Sequence, residues 1–435
     1  MVKKSNILTY SILISIILIV ILGNSATFNL SSGLYKGVPL KITEILISIN
    51  IVFLIYFKRL NLRKISSLNL LIIWCAFGIL SIGINLPFQS YTIKQALYGA
   101  LYAGRILFYI VYVYYCVNYL KDNKVRFDIV ADILIYSYTV VAFIGFIQLS
   151  FFPKAYDFYD MLKRLGIYIL NPDPHIGRLF SLYLDPNFLS SIIVMGIMLS
   201  TAKVIKIGFA AGKKYIFCAL VQTIALALTV SRSGVGAIGL SFILFFVFSI
   251  KIINKKILIP NFKRIVIFGV ILLITLGAVY VLDNSRMFDR IGNIGSDPSA
   301  GARLDNWSKT AETIVGTKKN EGRSVNPIYG IGYNMSGFYK NNANEATSFG
   351  TDSTLMLIWL TTGIIGLLGY LAYILLTIFH ILKRRNEGNF YYGNAIAAIL
   401  IASVAASFFN NLLFYPLWLF PFLLISNYYI LDYDN

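Results

Sequence analysis

Long apolar stretches alternate with short polar ones along the whole chain. Each apolar run is about 20 residues, enough for a helix to cross the hydrocarbon core of a bilayer. Twelve such spans are predicted, at about 7–23, 40–57, 67–86, 97–120, 129–151, 187–203, 215–230, 234–250, 265–282, 353–380, 392–409 and 412–431. The runs are continuous. A transmembrane barrel would instead show alternating segments of about ten residues. The first run follows Lys3 and Lys4 as in a signal peptide, but it is too long for one and further spans follow, so it is expected to remain as the first helix. The predicted fold class is all-α: a polytopic membrane helix bundle of about 12 spans, one integral membrane domain over 1–435.

The polar stretches between the spans alternate in charge. Six of them, around Lys3, Lys58, Lys121, Lys203, Lys251 and Lys383, hold 21 of the 38 Lys and Arg residues. The positive-inside rule puts that side in the cytoplasm, together with both termini. The opposite face then receives the two large polar segments, 152–186 and 283–352. The second is roughly 70 residues long, far beyond an ordinary connection, and such a loop on a rigid scaffold is expected to be a working part.

Composition agrees with this picture. The chain is 57% hydrophobic and 13% charged, about half the charged share of a soluble domain. The formal charge of +19 would suggest nucleic acid in a soluble protein. Here it is explained by the basic loops, and no nucleic-acid partner is expected. Cys75, Cys116 and Cys218 all lie in apolar runs and read as small buried hydrophobes. No Cys/His cluster suggests zinc, and no phosphate-binding loop or dinucleotide fingerprint suggests a nucleotide. The pair Asp432-Tyr433-Asp434 lies at the C-terminus, a poor place for a sugar-nucleotide metal site.

A few polar residues stand out against the apolar pattern. Arg232 sits in the tight turn Ser231-Arg232-Ser233-Gly234 between two spans. A guanidinium there suits phosphate oxygens, and equally lipid head groups or a turn carbonyl. Arg105 lies in a tyrosine-rich run, well inside its predicted span, and needs a partner: Glu44 of the second span, or a bound anion. Arg303 and Trp307 are spaced i, i+4 and share a face if helical, as in an amphipathic lid or a solvated helix with an interfacial anchor. Arg290 belongs to the same loop. Asp352 begins the tenth span, either as a helix cap or as a carboxylate able to take a proton from a sugar hydroxyl. The loop before the sixth span carries His175, Arg178 and then Asp185-Pro186-Asn187, which reads as a capped helix start or as a substrate-facing turn. His380 falls at a cytoplasmic helix end and is set aside.

Three ordered stretches resemble the O-antigen polymerase and ligase superfamily, that is, Wzy-type polymerases and lipopolysaccharide ligases. They are Leu228-Thr229-Val230-Ser231-Arg232-Ser233-Gly234-Val235; the long loop with Arg303 and Trp307 ending in Pro327-Ile328-Tyr329-Gly330-Ile331-Gly332-Tyr333; and Asp352-Ser353-Thr354-Leu355 with Gly363-Ile364-Ile365-Gly366. Asp185-Pro186-Asn187 is a weaker fourth. Together they cover about 180–370. The resemblance implies a GT-C-like bundle with short helices in its large extracytoplasmic loop, and glycosyl transfer without metal, nucleotide sugar or cofactor. Ligases of this family usually carry a His-Asn pair where this chain has Asp352-Ser353, which favours a polymerase. The substrates implied are glycans on undecaprenyl pyrophosphate, making O-antigen or capsular polysaccharide at the outer face of the bacterial cytoplasmic membrane. A chain-length regulator and a flippase of the same pathway are the implied partners. Arg232 and Arg303 would hold the pyrophosphate, and Asp352 would orient or deprotonate the acceptor hydroxyl. Arg105, Arg178, Asp185, Asn187, Arg290, Trp307 and His175 would contact substrate. The alternatives are an O-antigen ligase and a flippase for the lipid-linked unit; the missing His-Asn pair counts against the first, the absence of an internal repeat against the second.

Overall fold

The computed structural model describes residues 2–25, 27–28, 40–57, 63–167, 175–250, 255–282, 298–316, 325–341, 353–385 and 389–432. Twelve described helices occupy the twelve predicted spans: α1 (Val2–Leu22), α2 (Ile42–Phe57), α3 (Ser66–Phe88), α4 (Ile93–Asp122), α5 (Phe127–Phe151), α7 (Pro186–Ile207), α8 (Lys213–Leu228), α9 (Arg232–Ile250), α10 (Lys255–Leu282), α13 (Thr354–Lys383), α14 (Phe390–Ala406) and α15 (Pro416–Asp432). Seven are long and apolar enough to cross a membrane outright, and three further apolar helices are shorter. The chain is an all-α, multi-pass membrane protein. Short helices α6 (Ala155–Arg164), α11 (Pro298–Val315) and α12 (Ser336–Asn341) lie in the two large loops. Thr27–Phe28 pairs antiparallel with Leu40–Lys41 over two residues each.

Burial sorts the helices into layers. The α7 span is 94% buried, whereas those of α9, α10 and α13 are about one-third buried or less. An apolar helix buried on all sides is core, and one buried on a single side presents the rest to lipid. The core is made by α7, α14 and α15. α9 packs along α14, α8 along α7, α4 along α15, and α13 along α3. Cys75, Cys116 and Cys218 are buried and unpaired within these helices.

Polar groups pin the helices at the end of the bundle where the basic loops lie. Asp128 of α5 accepts from Lys203 Nζ (2.8 Å) and Lys206 Nζ (3.0 Å) of α7, and from Tyr392 Oη of α14 (2.9 Å). Lys203 also pairs with Asp132 at 3.0 Å. Two of the basic residues counted toward the positive-inside bias are therefore structural ion-pair partners as well.

The break in α13 is the most consequential irregularity. Gly363 lies inside this helix at φ 64°, ψ −166°. Nine residues into the helix, it lies about 14 Å below the helix start. Backbone at such depth must be bonded within the protein. The segment 327–332 of the long loop supplies the bonds. The amides of Ile364 and Ile365 donate to the carbonyls of Pro327 (2.9 Å) and Ile328 (3.3 Å), and the carbonyls of Leu360 and Thr361 accept from the amides of Ile331 (3.0 Å) and Gly332 (2.9 Å). Just beyond, the Tyr333 amide donates to Ser81 Oγ at 3.1 Å, and its ring packs edge-on against Trp74. The end of the long loop thus re-enters the bundle.

Candidate functional site

The site is built around the turn between α8 and α9. The turn falls at Thr229–Val230, so Arg232 is the first residue of α9 rather than part of the turn itself. Val230 adopts φ 51°. A β-branched residue in the left-handed region is strained and persists only when its surroundings hold it there. Arg178 supplies that support: its Nε donates to the Thr229 carbonyl (2.8 Å), and its terminal nitrogen to the Val230 carbonyl (3.4 Å) and to Asn187 Oδ1 (3.2 Å). Asn187 Oδ1 also accepts from Ser231 Oγ at 3.1 Å, and Ser190 Oγ donates to Ser231 Oγ at 3.0 Å. Asp185 caps α7, its Oδ1 accepting from the amides of Asn187 (2.6 Å) and Phe188 (3.0 Å). Arg178 and Asn187, expected to contact substrate, thus brace the turn that leads into Arg232, and Asp185 caps the helix that carries Asn187.

In front of the turn lies a cavity of about 460 Å³. Arg232 and Ser233 line it from the start of α9, and Arg303, Leu304 and Trp307 from α11. Its wall below is Gly236, Ala237 and Leu240 of α9 with Ala402, Ala405 and Ala406 of α14, then Phe409. The small residues leave an apolar crevice between two packed helices. Two guanidinium groups border it. One stands at the N-terminus of α9, where the helix dipole adds positive potential and favours an anion. Trp307 stacks on Phe409 with ring centres 5.7 Å apart. The helix α11 is held from its far end by Ile314, which packs with Val325, Ile331 and Leu360. The re-entrant segment therefore positions the helix that carries Arg303.

The other sequence candidates lie elsewhere. Arg105 pairs with Glu44, Nε to Oε1 at 2.7 Å. α4 starts at Ile93, so Arg105 lies twelve residues, about 18 Å, along it. It meets Glu44 in the first turn of α2, the protein partner that the sequence offered for it. His175 is buried beside Phe180, under α6, and its carbonyl accepts the Ala155 amide. Asp352 and Arg290 lie outside the described residues. The cap of α13 is Ser353, whose side chain accepts from the Met356 amide.

Two features escaped sequence reading. The crevice residues Gly236, Ala402, Ala405 and Ala406 look like ordinary span residues, although their small-residue spacing was a usable signal. Lys41, placed inside the second predicted span, is instead a buried cation just before α2.

Residues 217–371 match the family described as O-Antigen ligase, a range that covers α8 to the middle of α13, with the Arg232 turn, α11 and the re-entrant segment inside it. No curated protein matches the chain. This match, with the ordered motifs around Arg232, Arg303 and Gly363, is consistent with the O-antigen polymerase and ligase superfamily, glycosyltransferase-like enzymes that act on lipid-linked glycans.

Proposed function

We propose that the protein polymerises oligosaccharide repeat units carried on undecaprenyl pyrophosphate, by metal-independent glycosyl transfer at the outer face of the cytoplasmic membrane. The observation that supports this reading is the convergence of Arg232 and Arg303 on one apolar cavity. The polyprenyl chain occupies the crevice of Gly236, Ala402 and Ala405, and its pyrophosphate lies between the two guanidinium groups. Arginine stays charged and donates in a planar fork suited to phosphate oxygens.

In the reaction the bond from the donor's anomeric carbon to the pyrophosphate oxygen breaks. A hydroxyl oxygen of the acceptor repeat unit forms the new glycosidic bond. Its proton passes to a carboxylate, assigned to Asp352, and the leaving polyprenyl pyrophosphate carries away the charge. Arg232 and Arg303 act where that charge grows, and each is expected to lower the barrier by about 3 kcal/mol, roughly a hundredfold in rate. Arg178 and Asn187 keep Arg232 in place.

The test uses purified protein, a synthetic lipid-pyrophosphate repeat unit and a gel ladder, comparing wild type with Arg232→Ala and Arg303→Ala. A ladder that forms without nucleotide and disappears in both variants supports the reading. A ladder undiminished in the variants removes the site assignment. The matched family's description favours a second reading, transfer of finished polymer to a lipid A-core acceptor. Replacing the second repeat unit with that acceptor distinguishes the two: a ligase gives one capped product and no ladder. Failure of both, from well-folded protein, turns attention to translocation of the lipid-linked unit.

A further inference from the structure

A second cationic site stands on the same outer face, on the other side of the α7 N-terminus. Lys41 is only 6% exposed, although it precedes α2 at the membrane surface. Among the described residues its Nζ donates to one acceptor, the neutral Asn24 Oδ1, at 2.9 Å, and it lies 5.9 Å from the centre of the Tyr415 ring. Asn24 is itself fixed by donating to Tyr415 Oη (2.6 Å) and to the Tyr183 carbonyl (3.2 Å). The nearby carboxylate, Glu44, is shared. It pairs with Arg105 at 2.7 Å and accepts the Lys41 amide at 3.2 Å. Among the described residues the cluster therefore holds two cations and one anion.

An ammonium has three donor positions, and a buried charge is costly unless it is paired and fully bonded. Among the described residues Lys41 spends one donor on a neutral amide. Burial and the neighbouring Arg105 lower its pKa to about 8, against the partial support of Glu44. A buried ammonium whose one nearby carboxylate is shared with a guanidinium has the chemistry of an anion site. The position also has a route to the first site. Tyr415 stacks on Phe188 at 4.2 Å, and Phe188 adjoins Asn187, which bonds the Ser231 of the Arg232 turn. On the other flank, Tyr98 and Tyr102 of α4 stand in contact, and Tyr102 lies 5.6 Å from the Arg105 guanidinium. Such rings offer flat faces to sugars.

We propose that Lys41, held in place by Asn24 beside Tyr415, forms a second anion subsite that takes the phosphate head of a second lipid-linked substrate. This rests on the polymerase reading, in which donor and acceptor both carry a pyrophosphate lipid. Arg232 and Arg303 hold the donor; Lys41 holds the acceptor, with its sugars toward Tyr98 and Tyr102. The shared ligand chemistry is a phosphate or pyrophosphate anion, whether on a polyprenyl chain, on a membrane phospholipid or free.

The test counts bound ligands on the full-length protein in detergent by native mass spectrometry, using a polyprenyl pyrophosphate without sugar. Parallel arms use phosphatidylglycerol and inorganic pyrophosphate. Wild type is expected to bind two polyprenyl pyrophosphates, and Lys41→Gln one, with the second affinity weakened about tenfold or more. Lys41→Arg is expected to restore the second. Asn24→Asp provides an independent variant that keeps the fold: it supplies Lys41 with a built-in counter-ion and is expected to lose the second equivalent. Two equivalents retained in Asn24→Asp overturn the proposal, as does a single equivalent in wild type. Displacement of the second equivalent by phosphatidylglycerol alone, or by pyrophosphate alone, assigns the site to that source and overturns the acceptor role. Because the count needs no catalysis, a missing polymer ladder with two bound lipids sinks the polymerase reading and spares the site, and a ladder with one bound lipid does the reverse.

Discussion

Gly330 and Gly363 each lie against the backbone of the segment that holds the other: a Cβ on Gly363 would fall 2.3 Å from the carbonyl carbon of Ile328, and one on Gly330 would fall 2.4 Å from that of Thr361. Both residues have positive φ, 70° and 64°. Each lacks a side chain where the other's segment passes, and together they let the end of the long loop fill a break in a membrane helix. Gly363→Ala and Gly330→Ala are each expected to cost about 1–3 kcal/mol from backbone strain alone, with the steric overlap added. Thermal unfolding in detergent reads the loss. Limited proteolysis of the outer loop should accelerate in step, because α11 is anchored through Ile314 to the same segment.

The turn carrying Arg232 depends on Arg178. Arg178→Gln removes its bonds to the Thr229 and Val230 carbonyls and to Asn187. Hydrogen bonds to charged groups contribute about 1.5–3 kcal/mol. A lower unfolding temperature is expected, together with a fall in turnover larger than any change in lipid affinity, since Arg232 is retained but misplaced.

Filling the crevice should separate lipid binding from folding. Gly236 lines the cavity and has nothing within 4 Å of an added Cβ. Gly236→Leu is expected to leave the unfolding temperature unchanged and to raise KM for a long-chain lipid donor several-fold. A donor with a short prenyl chain should be affected less, and comparing the two chain lengths checks the assignment.

At the start of α5, Asp128→Asn leaves Lys203 and Lys206 short of their shared partner. Lys203 is nearly buried, so the loss resembles breaking a buried pair, which commonly costs about 3–5 kcal/mol. Partial exposure of Asp128 lowers that figure toward about 2 kcal/mol. Thermal unfolding measures it, and Asp132→Asn should cost less.

Binding at Lys41 should depend on pH. With its pKa lowered to about 8, an empty site loses its charge as pH rises through that value, and a bound anion moves the midpoint upward. The second lipid equivalent is therefore expected to dissociate above about pH 8, while Lys41→Arg keeps it. For stability the sign is opposite. The folded pKa lies below the usual lysine value, so the penalty of a buried charge is present below about pH 8 and fades as pH rises toward 10.5. Unfolding temperature measured without lipid should show this gain relative to Lys41→Gln.

Hydropathy alone was enough to place the helices in order. Continuous apolar runs have one stable form in a bilayer, so a described helix lies at each of the twelve predicted positions, to within a few residues at most ends. It also brought forward Arg232, Arg303 and Trp307, because a charge or an interfacial aromatic is conspicuous against an apolar background. Their convergence on one cavity was decided by packing, through small residues on α9 and α14 whose spacing marks a close helix contact but not its partner. Likewise, Gly330 and Gly363 could be marked as motif residues, but only the folded chain turned them into one joint, because the bonds that close it join segments about 30 residues apart. Lys41 shows the same limit. Hydropathy lost it inside a span, since its burial follows from where neighbouring segments pack, which no single run of sequence contains.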